Sequence, residues 1–477
     1  MVARIKPHRF SGLVRVPASK SHTIRRLRVA SLAGGLSRIR YPLESLDTRS
    51  CAAACRALGA AVTEHRATDP SCPNPPDAAG EKLVCWDLRG RAPGGPGRGG
   101  VVLSGPAGAG SAPGPVSIDV GNSGTTLFLA LAAAGLGANP VRFDGDAQIR
   151  RRSAAPLLAA LGALGLSVES EGGCCPITVR GPWKGGRASV ECPTSPYLSA
   201  LLLAAPLAPP GTLTELEVPL LNERPYVEMT LGYLDAQAVP CERGADLSWF
   251  RIPGGAAYRP LDAAVPGDFS SAAFPAAAAA ISGGPVWLAG LDRDDTQGDK
   301  AFFRVLADMG CDVRWEERAT SAARSAANSA AGSGDSAAVL RVERQGVLRG
   351  GEFDLNDTPD MLPACAVVAA FARGDTALVN VAHARIKETD RIAVMAAELG
   401  KLGVKVTERP DGLVVHGAGG ITRGGKIDSR GDHRVAMAFA AAALGAAGPV
   451  EIDGAECAAV TYPGFLELME AETGCTG

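Results

Sequence analysis

The run Arg385-Ile386-Lys387-Glu388-Thr389-Asp390-Arg391 places three cations and two carboxylates within seven residues, directly ahead of an apolar, helix-period stretch at 392–402. Such a cluster sits at a helix start, where unpaired backbone N–H groups and the positive end of the dipole already attract anions. Added Lys and Arg make that a site for phosphate or carboxylate. The same residues would also suit a solvated first turn laced with i,i+4 ion pairs, so the reading turns on what accompanies them.

Comparable residues open five other helical segments: Ser19-Lys20-Ser21-His22-Thr23, Gly121-Asn122-Ser123-Gly124-Thr125, Thr194-Ser195, Gly267-Asp268-Phe269-Ser270-Ser271 and Gly431-Asp432-His433-Arg434, with Asp357-Thr358-Pro359-Asp360 ahead of the 362–381 segment. All supply capping side chains, and several add glycine for close backbone approach. Ser270 and Ser271 read as ordinary caps. Elsewhere cations join the caps: Lys20 with Arg25, Arg152 behind Arg150 and Arg151, Lys387 with Arg391, and Arg434. If these helix starts converge, the ligands should be strongly anionic, and two anionic substrates fit better than one. Arg grips carboxylate or phosphate through two parallel hydrogen bonds, and Lys can deliver a proton where burial lowers its pKa. Asp360 and Glu388, embedded among these cations, are candidates for proton transfer, with structural ion pairing as the alternative.

The elements that must position them form a repeat. An Ala/Leu-rich helical segment, a Gly or Pro turn and a β-rich strand recur at 27–43, 126–143, 198–218, 272–288, 362–381 and 435–452. Second helical segments with a following strand lie at 50–62, 154–168, 227–239, 300–313 and 391–406, and the sixth stops short at 463–471. Six strand-helix-strand-helix-strand-strand units imply an α/β protein of two domains with three units each, every unit burying its helices beneath a sheet. The Pro/Gly/Ala-dense 67–115 and the Ala/Ser/Gly-rich 318–338 read as surface insertions.

Composition sets bounds. With 477 residues, 48 basic against 50 acidic side chains and 46% hydrophobic content, the chain can build large cores and has no basic excess for nucleic acid. Its 12 cysteines, including Cys174-Cys175, form no CxxC pair and no metal-like alternation with the six histidines. Reduced thiols and no metal are expected. The amino terminus lacks a signal peptide's apolar core and no apolar run reaches the roughly 20 residues of a membrane span, so a soluble cytoplasmic protein is expected.

Assembled, the residues resemble the EPSP synthase family of enolpyruvyl transferases over nearly the whole chain. The motifs are Ser19-Lys20-Ser21 with Arg25, Gly121 to Thr125, Arg152, Arg224-Pro225-Tyr226, Pro359-Asp360, Arg385 to Arg391, Asp432-His433-Arg434 and Thr461-Tyr462-Pro463. The resemblance implies two inverse α/β barrel (β/α prism) domains of three βαβαββ repeats, hinged about a cleft: 17–264, and 1–16 with 265–477. It implies transfer of the carboxyvinyl group of phosphoenolpyruvate to the 5-hydroxyl of shikimate 3-phosphate, without metal or organic cofactor, by a monomer with no nucleic-acid or membrane partner. It also implies that Asp360 takes the hydroxyl proton, that Glu388 exchanges the methylene proton and that Lys20 assists between both substrates. Asn122, Gly124, Arg152, Arg391 and Arg434 would hold phosphoenolpyruvate, and Ser21 and Arg25 the shikimate carboxylate side. Thr194, Ser195 and Lys387 would face the 3-phosphate, with Tyr226 near the ring; His433 would be a packing or cap residue.

Four positions depart from the family pattern: Pro196 for a glutamine, Glu223 for a phosphate-facing serine, His383 for an asparagine and Val460 for a lysine. A carboxylate at 223 would repel phosphate unless it turned away or paired with Arg224. These departures motivate an alternative, a non-catalytic relative binding phosphorylated metabolites. The sister transferase acting on UDP-N-acetylglucosamine is disfavoured by Lys20-Ser21, where that family has Lys-Asn.

Overall fold

The computed structural model describes residues 1–66, 83–90, 116–317 and 338–471. The chain is mixed α/β and divides into two compact units, Met1–Ser19 with Pro266–Gly477, and Lys20–Val265.

Helices of two kinds recur. The first kind is buried on all sides: Phe269–Ser282, Leu362–Ala370 and His433–Ala443 pack against one another, and Ala272, Ala273 and Ala276 to Ala280 are wholly inaccessible. Alanine suits this place because it orders no side chain and lets helix axes approach closely; a helix apolar all round belongs in a core. The second kind is amphipathic. In Arg391–Lys401 the apolar Ile392, Met395 and Leu399 are buried at helical spacing. In the other unit Gly124–Ala134 and Pro196–Ala204, buried almost throughout, are of the first kind and pack against each other, and Gly124–Ala134 also packs against Lys20–Leu32.

Among the described residues six sheets face these helices, five of four strands and one of three. In the sheet of Val116–Asp119, Val141–Asp144, Cys174–Arg180 and Ser167–Glu171, the first pair is parallel and the next two antiparallel. The other four-stranded sheets repeat this order. Two borrow their leading strand from a distant part of the chain: Gly12–Arg15 runs parallel to Val286–Ala289, and Asp262–Ala264 parallel to Gly35–Arg40. The sixth is closed by the amino-terminal strand Val2–Ile5, antiparallel to Val450–Asp453.

The stretch 67–115 is not wholly an insertion. Leu83–Gly90 is a strand between Gly35–Arg40 and Ala61–Arg66, antiparallel to both, with Trp86 and Leu88 buried. A strand with five apolar residues in eight, Leu83, Val84, Cys85, Trp86 and Leu88, was hidden by Pro/Gly-dense flanks that dominate the composition of the segment. The remainder, 67–82 and 91–115, lies outside the described residues, as does 318–337; Ala338 opens the strand Ala338–Arg344. Among the described residues no helix is long and apolar enough to cross a membrane.

Candidate active site

In the unit containing Pro266–Gly477, three helix starts meet at one guanidinium. The turn Pro359–Met361 delivers Asp360 ahead of Leu362–Ala370. Asp390 caps Arg391–Lys401 by accepting the Ala393 N–H at 3.0 Å, and Asp432 caps His433–Ala443 by accepting the Arg434 N–H at 2.9 Å. Arg391, with 0% of its side chain exposed, donates from Nε to Asp432 at 2.8 Å, from Nη1 to Asp360 at 2.7 Å and from Nη2 to Glu388 at 2.5 Å. A second Nη2 bond reaches Asp432 at 3.3 Å. Asp360 places its other oxygen 2.8 Å from Arg434 Nη2, and Thr389 Oγ1 donates to Asp432 at 3.1 Å.

Burial by itself would raise the Asp360 carboxyl. The Arg434 and Arg391 guanidiniums, with Lys387 behind them, override it and hold the group well below the usual carboxylate range. Burial likewise opposes the charge of Arg391, yet Asp432, Glu388 and Asp360 keep its pKa well above the ordinary value. An ionised acceptor thus sits between two fixed cations, with a second carboxylate on the same guanidinium.

In the unit Lys20–Val265, Lys20 opens the helix Lys20–Leu32 and its ammonium lies 3.1 Å from Asp47, an almost buried carboxylate. Asp47 is in the first turn of Leu46–Ala57, which Ser45 and Thr48 fix by a reciprocal capping box. Gly124 is the first residue of Gly124–Ala134, and a β-carbon there would stand 2.6 Å from Arg152 Nη1; the glycine is what lets the guanidinium lie against the helix start. Both amide hydrogens of Asn122 are spent on Asp146 at 2.8 Å and Gln148 at 2.5 Å, so its side chain braces the loop. Arg25 is buried and donates to Thr230 Oγ1 at 2.9 Å, to the Tyr226 carbonyl at 3.0 Å and to the Ser21 carbonyl at 3.3 Å, and burial pulls its pKa down to about 10. Ser21 and Tyr226 are therefore joined through Arg25 by their backbones.

Glu223 does not pair with Arg224. Arg224 pairs with Glu228 at 2.8 Å, while the Glu223 carboxylate, 4% exposed, faces Thr194 and Ser195. It accepts the Ser195 N–H at 3.0 Å, the Ser195 hydroxyl at 2.7 Å and the Thr194 hydroxyl at 3.2 Å. Like charge does repel phosphate, but a buried helix start attracts any anion, the protein's own included.

Other cations of the sequence clusters are structural. Arg385 braces Asp390 at 2.7 Å and Glu408 at 2.9 Å, and Arg150 grips both oxygens of Asp144. His383 is buried, its Nε2 3.0 Å from the Asn356 carbonyl, and His433 is buried at the start of its helix. Sequence reading missed Asp47, which looks like any first-turn acid, and left Asp432 as a cap although it also anchors Arg391. It also missed a cluster of His65, Cys85 and Asp87, whose ligand-type atoms lie within 4.8 Å of one another. His65 and Cys85 are cross-strand partners, His65 Nε2 lies 3.3 Å from an Asp87 oxygen, and Arg38 holds both Asp87 oxygens at 2.7 and 2.8 Å, which occupies that carboxylate with an arginine and an imidazole.

The family model for EPSP synthase (3-phosphoshikimate 1-carboxyvinyltransferase) matches residues 5–81 and 99–469. The 3-phosphoshikimate 1-carboxyvinyltransferase of Acetivibrio thermocellus is 42% identical over 98% of this chain and 97% of its own length. That of Ruminiclostridium cellulolyticum is 39% identical over 99% and 98%. Among solved structures, an EPSP synthase from Acinetobacter baumannii superposes with a TM-score of 0.72 at 26% identity, covering 98% of this chain and 97% of that one.

Proposed function

Because this chain belongs to the EPSP synthase family, 3-phosphoshikimate 1-carboxyvinyltransferase, we propose how its charged clusters carry out that transfer. The chain is a transferase of the shikimate pathway: it moves the enolpyruvyl group of phosphoenolpyruvate to the 5-hydroxyl of shikimate 3-phosphate and releases phosphate.

The observation that carries the reading is Asp360 held ionised between Arg391 and Arg434, with Glu388 on the same guanidinium. The chemistry needs a proton for the methylene carbon, an acceptor for the hydroxyl proton and fixed positive charge around two phosphates and two carboxylates. Glu388 enters the cycle in its acid form and gives that proton to the methylene carbon, the 5-hydroxyl oxygen bonds to the adjacent carbon, and Asp360 takes the hydroxyl proton. The tetrahedral intermediate then expels phosphate, which carries off the proton held by Asp360, while Glu388 recovers a proton from the methyl group. Asp360 is a weak base while both guanidiniums lie on it; a substrate carboxylate sharing Arg391 and Arg434 draws them off and strengthens it.

Lys20, oriented by Asp47, stands between the substrates. Gly124 and Arg152 meet phosphoenolpyruvate together with Arg391 and Arg434. Ser21, Arg25 and Tyr226 order the shikimate ring and carboxylate side, Arg25 acting through the backbone it holds. Thr194, Ser195 and Lys387 receive the 3-phosphate. The steps as written call for no metal or organic cofactor. We further propose that domains 17–264 and 1–16 with 265–477 are each inverse α/β barrels, the repeated sheet order supporting that architecture.

The test is to mix purified protein with both substrates and measure released phosphate. Turnover is expected, and Asp360→Asn should bind both substrates while losing most of it. No phosphate release by the unaltered chain would refute the reading.

A further inference from the structure

We propose that Glu223 is an internal competitor for the 3-phosphate, so that its displacement sets the affinity for shikimate 3-phosphate and the preference over unphosphorylated shikimate. The inference rests on the reading above, in which Thr194 and Ser195 receive that phosphate.

The donors at this place are already spent. Pro196, the first residue of Pro196–Ala204, has no N–H, and the Tyr197 N–H turns back to the Thr194 carbonyl at 3.4 Å. What remains is the Ser195 N–H and the Ser195 and Thr194 hydroxyls, and all three converge on one carboxylate. Ser195 heads its helix without capping it, because its hydroxyl goes to Glu223. Glu223 in turn heads Arg224–Ala236 without capping it, since a left-handed backbone, φ 57 and ψ 40, aims its side chain away from its own helix. The buried Arg25 adds a favourable field at the carboxylate. Two hydroxyls, an N–H at a helix start and a nearby guanidinium would serve a phosphate oxygen equally well. Carboxylate and phosphate cannot both occupy the three donors, so phosphate enters only as Glu223 leaves. An unphosphorylated ring incurs no such exchange.

Titration calorimetry on the full chain tests this with shikimate 3-phosphate and with shikimate, using Glu223→Ser and Glu223→Gln. Glutamine keeps the volume and an acceptor oxygen but loses the charge, so it guards against a serine variant that fails to fold. The expected result is shikimate 3-phosphate bound about tenfold or more tightly in a folded variant, with shikimate affinity unchanged. Unchanged or weaker shikimate 3-phosphate binding in both variants overturns the inference, as does an equal gain for shikimate. Phosphate release by the unaltered chain, run alongside, separates the cases: turnover without a gain in the variants sinks the competitor alone, whereas no turnover and no binding sinks the reading beneath it.

Discussion

Replacing Gly124 by alanine should weaken phosphoenolpyruvate binding without harming the fold. The added β-carbon would stand 2.6 Å from Arg152 Nη1 and 3.5 Å from Phe128 Cε2. The second distance is an ordinary contact; the first is not, and relaxing it to ordinary separation moves the guanidinium by about 1 Å. Arg152 is the end of a flexible side chain, so the shift is cheap for the fold, and alanine is the better helix former at the start of Gly124–Ala134. The cost falls on the ligand. One charge-assisted hydrogen bond lost or stretched is worth about 1.5–3 kcal/mol, roughly a ten- to hundredfold loss of affinity. Steady-state phosphate release should therefore show a phosphoenolpyruvate KM raised by that factor, a shikimate 3-phosphate KM nearly unchanged and a melting temperature no lower than the parent's. A phosphoenolpyruvate KM within twofold of the parent would refute the reasoning, as would an equal rise for both substrates, which would mean a general distortion.

Asp360→Asn should also act on stability. The folded carboxyl is held below its unfolded value of about 3.9, so its contribution is complete above that pH and is lost as pH falls through the folded value; the acid limb of the parent's denaturation curve should be steeper below about pH 4 than the variant's. Asp47→Asn removes the anion 3.1 Å from Lys20, and kcat/KM should fall about tenfold with little loss of secondary structure by circular dichroism. Val460→Lys, at the end of the turn Ala455–Val460, restores the lysine that the family pattern expects at the phosphoenolpyruvate end and should lower the phosphoenolpyruvate KM by about tenfold; an unchanged KM would count against it.

What was legible in the chain was what local physics controls. Capping residues and helical periodicity marked the starts of Gly124–Ala134, Arg391–Lys401 and His433–Ala443, because a cap and its helix are neighbours in sequence. The ion pair in this run was expected at i,i+4 and falls instead at i,i+3, between Glu388 and Arg391. Pairings that depend on packing were not. Lys20 and Asp47 meet only because Lys20–Leu32 lies on Leu46–Ala57, and Arg391 and Asp432 only because two helix starts abut. The borrowed strands Gly12–Arg15 and Asp262–Ala264 pair with partners far along the chain, so no local pattern announces them. Glu223 shows the limit most clearly. A charge rule applied to the sequence gives repulsion of a phosphate, and the structure gives attraction of the carboxylate to the donors assigned to that phosphate. Both follow from one electrostatic fact, the affinity of a helix start for negative charge. Which anion benefits depends on where the side chain is aimed, and a left-handed residue at 223 decides that through a backbone angle that residue types alone do not report.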